Sequence, residues 1–218
     1  VRGRDADPER IGVELVRGGK VELVVGFPPE QHAYVYPRLG PDGKTSISGF
    51  DAEPVSGFWD TLVHLVRNGL GSDRITVRGT GDGLEVWADV TVRVPADATI
   101  TAALGVGELR AAGLTGEAIL DTHAAAITVD DHTGRLLCDT GGGAVTVTDH
   151  GGGELTVDTG SGPVAIARAE TTKLLVDTGS GAVDARAIGA DRVLVDTGSG
   201  AVHLDRQTRL GAVEVQHE

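Results

Sequence analysis

From residue 98 onward, hydrophobic and polar positions alternate in short runs, and the runs recur. One apolar column reads Leu136, Leu155, Leu174, Val193, and the next reads Cys138, Val157, Val176, Val195. Thr140, Thr159, Thr178 and Thr197 follow, and then a glycine-rich corner. Beyond the corner come Val145, Val164, Val183, Val202, then Val147, Ile166, Ala185, Leu204. Within each half the alternation has the two-residue period of a strand. Each repeat is therefore predicted as two short strands joined at a Gly-Ser-Gly corner. The second connection varies, at 149–153, 168–173 and 187–192.

The repeat is also plain in its motif. Asp-Thr-Gly begins at Asp139, Asp158, Asp177 and Asp196, each 19 residues after the last. A degenerate copy, Asp-Thr-His-Ala-Ala-Ala-Ile, begins at Asp121, 18 residues before Asp139, and Leu109 precedes Ile127 by 18. Two strands in 18–19 residues cannot bury their own apolar face, but stacking like columns on like columns can. The expected fold is all-β: a parallel β-solenoid of about six coils, each rising ~4.8 Å, on the order of 30 Å tall. Glycine at the corner suits a positive φ and close approach of one coil to the next.

The first 97 residues lack this period. Segments 11–16 and 21–25 read as a hairpin about Gly18-Gly19, and 33–36 as a further strand. Segment 37–54, rich in Gly, Pro, Asp and Ser, reads as loop. Phe58, Leu62, Leu65 and Val66 have helical spacing, which predicts a short helix over 58–70. Segments 75–77, 84–87 and 90–94 read as strands. We expect residues 1–97 to form a β-rich cap and residues 98–218 the solenoid.

Val90-Thr-Val-Arg-Val-Pro95, the run Leu104-Gly-Val-Gly-Glu-Leu109, Gly113-Leu-Thr-Gly116 and the Thr-Gly-Ser-Gly-x-Val coils carry a family likeness. Over about residues 84–218 the chain resembles a bacterial adhesin-like family of β-strand repeats. That resemblance implies a right-handed solenoid and an exported or envelope-associated setting. It implies no shared catalytic residues.

Composition narrows the function classes. Glycine supplies 33 of 218 residues, aromatics only 3%, and the hydrophobic fraction of 40% must come from Val, Leu, Ile, Ala and Thr. So few aromatics argue against stacking platforms for single-stranded nucleic acid. A net charge of −13 lacks the basic face that phosphate backbones need. No apolar run approaches the ~18 residues of a membrane span. The chain starts at Val1 without Met, which we read as the trace of a removed export signal. The single cysteine, Cys138, allows no intrachain disulfide.

Chemistry-bearing patterns are few. Leu175-Val-Asp-Thr-Gly-Ser180 has the form of an aspartic-protease loop, but that chemistry needs two such aspartates facing each other. Four at a spacing of 19 line up along one side instead. The column Asp139, Asp158, Asp177, Asp196 is a weak candidate for calcium, a hard cation that favours carboxylates. The simpler role is acceptance of backbone N–H groups in the following turn. His132 and His150, 18 apart, fall on adjacent coils and are expected at the surface. Cys138 sits in a valine column and reads as a buried apolar residue. Ser161, Ser180 and Ser199 have no fixed histidine partner for triad chemistry. The outward positions Leu137, Thr156, Leu175 and Leu194 are mostly apolar, and Leu137, Leu175 and Leu194 are a candidate interaction face.

The expected function is that of a non-enzymatic structural protein of the cell exterior or envelope. Leu210, Val213 and Val215 mark a possible assembly end, through which copies would add end to end into a filament or surface layer. The alternative is an adhesin-like binding module, or an envelope-stress partner protein, that recognises a protein or an envelope polymer. Neither reading involves nucleic acid or a membrane span in this chain, and neither needs a cofactor.

Overall fold

The computed structural model describes residues 1–7, 12–17, 21–27, 31–47 and 74–217. They form two compact units, Val1–Val92 and Arg93–Glu218. In the first, β1 (Gly12–Arg17) and β2 (Val21–Gly26) pair antiparallel, with Arg17 opposite Val21, as the hairpin reading expected. A second sheet has the order β3 (Ala33–Val35), β5 (Ile75–Arg78), β4 (Lys44–Ile47), with β3–β5 parallel and β4–β5 antiparallel. Tyr34, Val35, Val77 and Val86 form its buried centre.

Three expectations for this unit need correction or fall outside it. Segment 37–54 is not all loop: Pro37–Leu39 makes a 3-10 turn, and β4 follows. Segment 84–87 contributes only single bridges, Leu84 to Tyr34 and Trp87 to Arg2, and 90–94 forms no strand. Arginine and proline neighbours interrupt that run, and no register with a facing strand forms. The helix expected over 58–70 lies outside the described residues.

The second unit is a parallel β-solenoid of about six coils. Its strands are β6 (Ile100–Leu104), β7 (Glu108–Thr122), β8 (Ala126–Thr140), β9 (Val145–Gly151), β10 (Glu154–Thr159), β11 (Val164–Thr178), β12 (Val183–Thr197) and β13 (Val202–His217). Every neighbouring pair runs parallel, in the register that the repeat predicts. Leu155 sits between Leu136 and Leu174, and Val164 between Val145 and Val183. The apolar columns meet in one core, from Ala118 and Leu120 at one end to Val193 and Val195 at the other.

The glycine corner works by proximity alone. None of its glycines has a positive φ. Instead, a Cβ on Gly162, Gly181 or Gly200 would lie 1.8–2.0 Å from the carbonyl oxygen of the glycine one coil below. The threonine three residues earlier holds the turn: Thr159, Thr178 and Thr197, all buried, each accept the backbone N–H of that glycine at 2.8–2.9 Å. The aspartate was expected to be the acceptor, but the threonine performs that role. Its side chain points inward, over the turn, while the aspartate points away.

The left-handed residues are at the other corner. Gly113, Asp131, Asp149, Arg168 and Ala187 share φ values of 55–62° and lie at equivalent places in successive coils. The strands run through this bend, so most coils carry one 15-residue strand in place of two short ones. The change from 18- to 19-residue spacing is absorbed at Gly151-Gly152-Gly153. There Gly152 and Gly153 take φ of +77° and +38°, and the strand breaks between β9 and β10.

Candidate functional site

The strand that enters the glycine corner presents three parallel rows outward. The central row is Ile119, Leu137, Thr156, Leu175, Leu194, each hydrogen-bonded in register with the next. All five are half-buried. The structure thus joins Leu137, Leu175 and Leu194 into one strip and adds Ile119, which lies 18 residues before Leu137 and was visible by that spacing. The strip is confined to this face. The matching outward row on the other strand is Thr128, Thr146, Ala165, Asp184 and His203.

On one side of the strip, two residues along each strand, stands the row Asp121, Asp139, Asp158, Asp177, Asp196. Partial burial, then the like charge of the next coil, raises the carboxyl groups of Asp139 and Asp158 above the usual aspartate value. Burial also raises Asp121, partly offset by His123. Among the described residues, no group of three or more His, Cys, Asp or Glu is placed to hold a metal ion. The row is a carboxylate ladder with one oxygen pair per coil.

On the other side stands Glu117, Arg135, Glu154, Lys173, Arg192. Here opposite charges alternate up the stack. Arg135 bonds Glu117 at 3.1 Å, and Lys173 bonds Glu154 at 2.6 Å. This ion-paired row escaped the sequence reading because the pairs are 18 and 19 residues apart and become neighbours only once the coils stack.

Val213 and Val215 continue the columns that end in Val193 and Val195. Val193 and Val195 are at most 1% exposed, whereas Val213 and Val215 are 46% and 41% exposed. β13 pairs with β12 along one edge, and no described strand pairs with its other edge. Leu210 pairs with Ala190 through the backbone.

Two expectations about single residues part ways. Cys138 is fully buried in the Leu120–Val157 column, and burial pushes its thiol up to about 12, so it is inert at neutral pH. His132 and His150 do fall on adjacent coils, but they are buried, not at the surface: 1% and 2% exposed. Their rings stack nearly parallel, with Nδ1 to Nδ1 at 3.2 Å, and neither Nε2 has a partner. They follow the left-handed corner, whose bend turns the next residue inward. Their column otherwise holds Leu114, Ala169 and Ile188.

The stacked register, the shared core and the regular outward rows define a β-solenoid repeat protein. The family model described as Toastrack DUF4097 matches residues 87–218, and the chain belongs to that family. No curated protein and no solved structure matches it with significant similarity.

Proposed function

We propose that this chain is a non-enzymatic structural protein of the cell exterior that assembles end to end through the last coil of its solenoid. The exposure of Val213 and Val215, in columns otherwise sealed from water, carries this reading. An uncovered parallel coil offers both unpaired backbone groups and an apolar layer to an incoming strand. Addition of one copy's end to another's opposite end is heterologous and propagates. The net charge of −13 keeps single copies apart at low ionic strength, so salt and divalent cations should promote assembly. The exterior setting rests on the likeness to adhesin-like repeats.

Negative-stain microscopy and sedimentation of the purified chain test this, with and without salt and calcium. Filaments of regular width, abolished by Val213→Glu, are the expected result. A monomer at high concentration under all conditions overturns it.

A second reading, a binding module, is favoured by a different observation: the strip from Ile119 to Leu194 lies on one outward face and has no counterpart on the other. The two readings use different surfaces and are separable by mutation.

A further inference from the structure

The three rows described above have a geometry that selects a partner. The apolar row is ~19 Å long from Ile119 to Leu194, four coil steps of ~4.8 Å. The aspartate row runs parallel to it, ~7 Å away, two residues along each strand. An occupant must therefore supply apolar side chains about every 5 Å and, beside them, cations at a similar interval.

An extended strand laid along the stack does not fit, since it repeats on one face only every ~7 Å. An α-helix laid along the stack does, since its pitch is ~5.4 Å. About 13 residues span the strip. Residues at i, i+4, i+7 and i+11 meet the leucines, and a flank of Lys or Arg meets the carboxylates.

Charge decides among occupants of that shape. The aspartate row carries five carboxylates, and the opposite row, with two acids and three bases, is nearly neutral. A second copy of the same face would set acid against acid, on a chain already at −13. A cationic helix relieves the repulsion between stacked aspartates and covers the leucines in one step.

We infer that this face docks a basic amphipathic helix of a partner protein or peptide, lying along the solenoid axis with its apolar stripe on Ile119, Leu137, Leu175 and Leu194 and its cationic flank on the aspartate ladder. This deepens the binding-module reading and is independent of end-to-end assembly.

The test is fluorescence anisotropy with the full chain and three labelled synthetic 18-residue peptides. One has a leucine stripe flanked by lysines, one has the same composition with the stripe scrambled, and one replaces the lysines by glutamates. The striped basic peptide should bind at least tenfold more tightly than the other two, and the affinity should fall as salt is raised. Leu175→Glu should weaken it at least tenfold, and Asp158→Asn with Asp177→Asn severalfold, with a shallower salt dependence. Thr156→Leu, which completes the strip, should tighten it, and this gain cannot come from misfolding. Equal affinity for the striped and scrambled peptides, or no response to both Leu175→Glu and Thr156→Leu, overturns the inference. Sedimentation of the same samples without peptide reads assembly separately, so one reading can fail while the other stands.

Discussion

A single methyl group separates tolerated from disruptive positions in the glycine corner. At Gly181 a Cβ would lie 2.0 Å from the Gly162 carbonyl oxygen, a backbone atom that moves only if the coils part. Gly181→Ala should cost at least the ~1–3 kcal/mol typical of overpacking. At Gly142 a Cβ would meet only the Ser161 hydroxyl, at 3.4 Å, and the equivalent position in later coils is serine. Gly142→Ser should therefore leave the melting temperature nearly unchanged. Thr178→Val keeps the shape but leaves the Gly181 N–H without its acceptor, at about 1–3 kcal/mol. Thermal melts of the three variants rank these effects. The motif made the corner legible, but not its mechanism. Asp and Thr are adjacent, both accept hydrogen bonds, and only the inward or outward parity of the strand decides which one holds the turn.

At the level of the strand, parity also decides the fate of the histidines. The spacing of 18 placed His132 and His150 on neighbouring coils. Their burial depends on the left-handed residues Asp131 and Asp149, which reset the alternation, and non-glycine residues give no sequence signal of a positive φ. Burial pushes His150 down to about 4, helped by the neighbouring His132, and burial lowers His132 as well. A histidine held below its usual value binds fewer protons folded than unfolded. Stability is then full above about pH 6.5 and declines as the pH falls toward 4. For His150 alone the loss is about 3 kcal/mol. His150→Leu, matching Leu114 in the same column, should flatten this decline while leaving the fold intact. Urea melts at pH 7 and pH 4.5 provide the check. The aspartate ladder has the opposite sign. Its raised members favour the protonated form in the folded state, so their repulsion is greatest at neutral pH. Asp139→Asn should raise the melting temperature at low salt, and the gain should shrink once the Debye length falls below the coil spacing.

Taken whole, the solenoid is a one-dimensional object, and its architecture was legible because the period of 19 is repeated with so little drift. The unit spanning residues 1–92 was not, because its sheet joins β3 to β5 in parallel across about 40 residues, a pairing that no local pattern announces. One-dimensionality has a direct consequence. Each coil touches only the coil above and the coil below, so stability should be close to a sum of coil terms and interface terms. Removing residues 160–178 joins Thr159 to Gly179 and restores an uninterrupted Asp-Thr-Gly-Ser-Gly-Ala-Val turn. The columns then realign: Leu155 stacks on Val193, and Val157 on Val195. The shortened chain should keep its β spectrum by circular dichroism and unfold cooperatively at a lower temperature. Removing 160–169 instead shortens one coil by ten residues and sets Thr159 and Thr171 against a broken register. That variant should lose cooperative unfolding altogether. If both deletions behave alike, the coils are not independent units, and the stability of the stack resides in contacts beyond nearest neighbours.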